Sequence, residues 1–130
     1  MSGQQAHYVR IYTDDSGESH FEDLDISLAP VDFAPPAEPV NIAQFLPATQ
    51  SFWVGFPAGW TGEDPHSSPQ RQIFIVLQGE IEATASDGAV RRFGPGGVIL
   101  MEDTWGKGHS TRVIGNDEGL IFGVVLAEAQ

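Results

Sequence analysis

Cysteine is absent from this chain of 130 residues. Disulfides and thiolate chemistry are therefore excluded, and any bound metal must be held by nitrogen and oxygen donors. Positive charge is scarce: six Lys and Arg stand against eighteen Asp and Glu, for a net charge of -12. Such a chain repels phosphate backbones, so nucleic acid is not an expected partner. No apolar run approaches the roughly 20 residues of a membrane-spanning helix. The amino terminus shows no basic start followed by an apolar stretch, so no secretory signal is expected and a cytoplasmic setting is the default. No glycine-rich loop ends in Lys-Ser or Lys-Thr, and no Gly-x-Ser-x-Gly elbow occurs. Phosphate-loop and serine-hydrolase chemistry lack their signatures.

What is present is punctuation. Fifteen glycines and nine prolines separate many short apolar runs, the composition of an all-β chain with frequent turns. One domain spanning 1–130 is expected, large enough to bury roughly two-thirds of its unfolded surface. Residues 1–28 read as an amino-terminal hairpin. In its first strand Val9 and Ile11 alternate with Tyr8, Arg10 and Tyr12, and Asp14-Asp-Ser-Gly17 supplies the turn. The hairpin is expected to lie across a sheet of the barrel or of a neighbouring subunit. In its second strand Leu24, Ile26 and Leu28 share a face with His20 and Glu22, which then cap the barrel or meet that neighbour.

Residues 29–49 carry Pro30, Pro35, Pro36 and Pro39 and read as an extended connector. Val40 to Leu46 is open between one helical turn and a short strand. Residues 50–126 read as the barrel core. Strands are expected over Gln50–Phe56, Ile73–Leu77, Glu80–Ala85, Ala89–Phe93, Val98–Met101, His109–Ile114 and Leu120–Leu126. The unbroken apolar block Ile73–Leu77 predicts a strand buried on both faces. Pro57 to Gly62 is a loop leading to His66, and Glu102 to Gly108 is a second loop leading to His109. Evenly spaced short strands of this kind make a sandwich or a barrel.

Two stretches carry the chemistry. In the first, His66 is followed by Ser68, then Gln72, then Gly79. In the second, Gly97 is followed by Thr104, the run Gly106-Lys-Gly-His109, and Val113. These stretches resemble the two motifs of the cupin superfamily. The first motif is His-x-His, a Glu, then a Gly; here Ser68 replaces the second His, Gln72 the Glu, and Gly79 keeps its spacing. In the second, one residue is inserted after Gly97, Thr104 takes the Pro position and Val113 the Asn position, and His109 is kept. Glu102 to His109 also resembles a group of small single-domain bacterial cupins.

The resemblance covers about 52–126. It implies a cupin-type double-stranded β-helix, or jelly-roll barrel, with the amino-terminal β-hairpin as an elaboration. It also implies a site inside the barrel at which His66, Gln72 and His109 hold one divalent metal, drawn from manganese, iron, nickel or zinc. Ser68 is a poor ligand when neutral, and Gln72 offers only its amide oxygen, so affinity falls unless Glu102, Asp103, a water or an anion compensates. Ser68, Trp53, Phe74, Trp60 and Trp105 are expected to line the ligand pocket. A homodimer is the implied assembly. Three function classes stay open: an enzyme acting on a small polar or carbonyl compound through a Lewis-acid metal, a metal-free small-ligand-binding module, and an assembly module.

Overall fold

A computed structural model describes residues 3–128. Its regular elements are all strands: β1 (Gln5–Thr13), β2 (Ser19–Ser27), β3 (Ala29–Val31), β4 (Val40–Ile42), β5 (Ala48–Phe56), β6 (Thr61–His66), β7 (Gln72–Gln78), β8 (Glu80–Ala85), β9 (Val90–Phe93), β10 (Val98–Glu102), β11 (His109–Ile114) and β12 (Gly119–Leu126). Among the described residues no helix is long and apolar enough to cross a membrane.

The strands from β5 to β12 pair in a nested series. β8 pairs with β9, β7 with β10, β6 with β11, and β5 with β12, all antiparallel. Each pair encloses the previous one in the chain, as in one long hairpin. Side-to-side pairing of β7 with β12 and of β8 with β11 rolls that hairpin over on itself. Two facing sheets result, a six-stranded one ordered β2-β1-β10-β7-β12-β5 and a four-stranded one ordered β6-β11-β8-β9. This nested order is the jelly roll.

The amino-terminal hairpin does not lie across a sheet. It extends one edgewise: β1 runs parallel to β10, with Val9 opposite Ile99 and Ile11 opposite Met101. Without it β10 would present an open row of backbone donors and acceptors. Its inward face carries Val9, Ile11 and Phe21 against the core. Leu24 and Ile26 stand on the outer face instead. The connector holds a two-stranded ribbon of β3 and β4, so Val40–Ile42 is a short strand. β6 was not expected, because Gly62 and Pro65 interrupt it; as an edge strand it tolerates them.

Between the sheets Val76, Ile81, Phe93, Ile99, Met101 and Ile121 are buried together. Strand β7 departs from expectation. Val76 is fully buried, but Leu77 is 43% exposed and Ile73 and Ile75 are only half-buried. One face of β7 meets the core and the other forms part of an apolar outer surface.

Candidate metal and ligand site

His66 ends β6 and His109 begins β11, and the two residues are register partners across that antiparallel pair. Their ring centroids lie 5.2 Å apart with a 53° tilt. Gly108 makes this approach possible. It has φ +71, and a Cβ there would fall 2.1 Å from the carbonyl carbon and oxygen of His66. Only a residue without a side chain fits both the left-handed backbone and that contact. His66 stands exposed at the rim, while His109 is buried.

His109 is held by a carboxylate. Asp103, 0% exposed, lies in the loop after β10. Its Oδ2 is 2.5 Å from His109 Nδ1, and its Oδ1 accepts a 2.7 Å hydrogen bond from Ser68 Oγ. The Ser68 amide donates to the Asp103 carbonyl at 2.8 Å, tying the two loops together. Asp103 therefore sits between serine and histidine. The Ser68 hydroxyl donates to the carboxylate and not to the imidazole, which is not the arrangement of a nucleophilic triad. The carboxylate instead sets the ring's orientation and places its proton on Nδ1, leaving Nε2 free. A carboxylate behind an imidazole in this way is the usual outer partner of a metal-binding histidine. His66 Nδ1 faces the Ser67 carbonyl at 3.0 Å, so that ring also keeps Nε2 free of protein partners.

Gln72 opens β7 with its side chain in the core, 3% exposed. Its Nε2 reaches only the Met101 sulfur, at 3.9 Å. Its Oε1 is buried with no hydrogen-bond partner. An orphaned acceptor of this kind costs roughly 1–3 kcal/mol, which makes it a mark of an atom kept for something else.

His66, Gln72 and His109 all border one cavity of about 300 Å3 between the sheets. Its walls are apolar and aromatic, with Phe21, Phe52, Val54, Phe56, Trp60 and Phe74 among them. Phe56 and Trp60 meet at 4.6 Å with a 42° tilt, and Phe52 meets Phe74 edge-on at 6.0 Å. Of the expected pocket residues, Ser68, Trp60 and Phe74 line this cavity. Trp53 and Trp105 do not. Trp53 is 66% exposed and packs edge-on against Phe122 on the outer face of the six-stranded sheet. Its neighbour Phe52 points inward, so alternation alone sends Trp53 out. Trp105 is 53% exposed in its loop.

The carboxylates near the motifs have other work. Glu102 lies on the outer face, bonded to Arg10 and Arg71 at 2.6 Å each. Burial opposes its charge, but the hydrogen bonds from Arg71 and Arg10 outweigh this and lower its pKa. Among the described residues no group of three or more His, Asp or Glu could hold a metal ion. The donors that converge are two imidazoles and one carboxamide.

No protein-family model matches the chain, and no curated protein matches it either. Solved structures with a similar fold include a Cupin 2 conserved barrel domain protein from Salinispora arenicola, 17% identical, covering 78% of this chain and 75% of that one, TM-score 0.47. The cupin domain of Schizosaccharomyces pombe Cnp3 is also 17% identical, covering 95% of this chain and 84% of that one, TM-score 0.46. A protein of Neisseria meningitidis is 13% identical, covering 59% of this chain and 72% of that one, TM-score 0.43. The fold follows from the chain's own strand order: it is an all-β jelly roll of two facing sheets.

Proposed function

We propose that the barrel is a small-molecule site at which His66, His109 and Gln72 hold a divalent metal. The observation that carries this reading is the buried, unpartnered Oε1 of Gln72 in the same cavity as two imidazoles whose outer nitrogens are free. The donors fit such an ion chemically: two neutral imidazoles and an amide oxygen suit iron, nickel or zinc, with manganese held less well. When bound, the ion would polarise a coordinated oxygen as a Lewis acid. Asp103 orients His109 for this role, and the aromatic walls hold the rest of the molecule away from water. With no carboxylate among the donors, the ion keeps its full charge and is bound weakly.

Elemental analysis of protein purified without a metal-binding tag tests the reading. Partial occupancy is expected as purified, rising towards one ion per chain after incubation with excess metal and lost in His66→Ala and His109→Ala. Gln72→Glu should tighten binding by adding an anionic donor. A metal-free protein whose melting temperature ignores added manganese, iron, nickel and zinc would defeat the metal. The same three acceptors would then serve a metal-free binding module, a reading favoured by the lack of any acidic side chain on the cavity wall.

The implied homodimer has a candidate surface. Across the outer face of the six-stranded sheet, Val98, Ile75, Phe122 and Trp53 form one cross-strand row, and Tyr8 and Leu24 pair on the hairpin beside it. A second copy laid against this face would cover Leu77 and Trp53. Sedimentation should give a dimer that dissociates in Trp53→Glu; a monomer at high concentration would exclude it.

A further inference from the structure

We infer that the ligand of this cavity is an uncharged, mainly aromatic molecule with one hydrogen-bond-donating end, of the phenol or enol type. The inference rests on reading the cavity as a ligand site, taken in its ion-free form, and it departs from the small polar or carbonyl compound expected from sequence. Three independent features of the wall select this class.

The first is charge. No Asp, Glu, Lys or Arg lines the cavity. All six basic side chains are engaged elsewhere: Arg10 with Glu22 and Glu102, Arg71 with Glu102, Arg91 with Asp23, Arg92 and Arg112 with Glu82, and Lys107 with Glu18. With no ion bound, a carboxylate or phosphate entering the barrel would find no cationic side chain, and the net charge of -12 opposes its approach. Burying an unpaired anion is among the costliest events in a protein interior.

The second is shape and polarity. Away from His66, Gln72 and His109 the wall is mostly rings and aliphatic side chains, with Ser68, Gln70 and Thr111 its remaining polar residues and the Phe56–Trp60 and Phe52–Phe74 pairs offering ring faces and edges. A sugar would lose its water on all sides and regain bonds on one. A planar apolar body stacks on such surfaces at no polar cost. The volume, about 300 Å3, lies at the small end of ligand pockets.

The third is the sense of the hydrogen bonds. A carbonyl oxygen only accepts, so the Ser67 carbonyl places the His66 proton on Nδ1. The Asp103 carboxylate does the same for His109. With no ion bound, both Nε2 atoms of the neutral rings are acceptors, and Gln72 Oε1 is a third, already orphaned. The polar end of the cavity is rich in lone pairs and asks for an O–H or N–H.

The test is calorimetric titration and thermal shift of the full chain, as purified and after chelator treatment, with four probes: 2-naphthol, naphthalene, 2-naphthoate and glucose. 2-Naphthol should bind and raise the melting temperature. Naphthalene should bind roughly tenfold more weakly, the worth of one hydrogen bond. In chelator-treated protein 2-naphthoate and glucose should cause no shift. In Gln72→Leu the preference for 2-naphthol over naphthalene should shrink while naphthalene binding persists. In chelator-treated protein, equal binding of naphthoate and naphthol, binding of glucose, or silence from both neutral aromatics would overturn the inference. The metal reading fails separately: naphthol binding that chelation leaves unaltered, in protein that elemental analysis shows to be metal-free, keeps the ligand class and removes the ion.

Discussion

Of the three histidines that meet aspartates, His7, His20 and His109, the last two sit in opposite surroundings. His109 has one partner, Asp103, in the buried end of the cavity. His20 has two, Asp14 at 2.7 Å and Asp87 at 2.8 Å, with the Tyr12 ring 5.6 Å away, and all are partly open to solvent. The same chemical pair does different things in the two places. In water it is screened and serves as a tie, here between the amino-terminal hairpin and the β8–β9 turn. In the interior every hydrogen bond must be kept, so the pair fixes one ring orientation and one proton position. The two regions are also joined. Ser19 Oγ donates to the Gly108 carbonyl at 2.7 Å, the Lys107 amide to the Gly17 carbonyl at 2.9 Å, and Thr13 Oγ1 to the Trp105 carbonyl at 2.9 Å. The hairpin thus straps down the loop that delivers His109.

The largest effect expected is from Gly108→Ala, which strikes the junction itself. Its new Cβ would meet the His66 backbone at 2.1 Å in a left-handed conformation, so a loss of about 4 kcal/mol is expected in chemical denaturation. A loss under about 1 kcal/mol would show that the loops part easily. Asp103→Ala breaks the buried member of the comparison. It strands His109 and Ser68, and should cost about 3 kcal/mol of stability together with roughly 10–100-fold in metal affinity. Full metal affinity in a folded Asp103→Ala protein would remove its orienting role.

Gln72→Leu should act in the opposite direction on stability. Replacing an orphaned acceptor by hydrocarbon should stabilise the fold by about 1 kcal/mol while metal binding is lost. Destabilisation would mean that the amide has a partner in solution.

The smallest effect belongs to His20. Its hydrogen bonds to Asp14 and Asp87 raise its pKa from 6.5, against opposing desolvation. A raised histidine contributes stability that is complete below its unfolded value and is lost as pH rises through the folded one. Asp14, hydrogen-bonded by His20 and Ser16, is lowered from 3.8. Its contribution is present above that value and is lost in acid. The tie is therefore fullest between 3.8 and 6.5. His20→Ala should flatten the decline of stability on the alkaline side of this window, measured by denaturation at a series of pH values. An unchanged profile would leave the tie without energetic weight.

Much of the strand pattern was legible because alternation is local. His109–Ile114 is the strand expected, and Gly119–Leu126 and Val90–Phe93 differ from expectation by one residue. Phe52, Val54 and Phe56 share one parity on β5 and Trp53 has the other, and the structure turns the first set toward the cavity. Other features depend on what lies across space. Ile73–Leu77 is apolar on both faces, yet only the sheet's position tells which face meets the core. Thr61–His66 contains Gly and Pro and becomes a strand only because β11 offers it an edge. Asp103 follows Glu102 in sequence and the two look interchangeable. One turns outward to Arg10 and Arg71 and the other inward to His109, a split set by where β10 ends.

The sequence by itself determined an all-β chain, the excluded chemistries and the placement of His66, Gln72 and His109 at motif spacings, because composition, alternation and turn residues act over a few residues at a time. The tertiary structure alone decided that the two imidazoles face each other, that Asp103 stands behind one of them, that the Gln72 oxygen has no partner and that the cavity wall carries no charge. These are relations between residues brought together by strand pairing, and hydrogen-bond satisfaction and burial have no meaning until that pairing is formed.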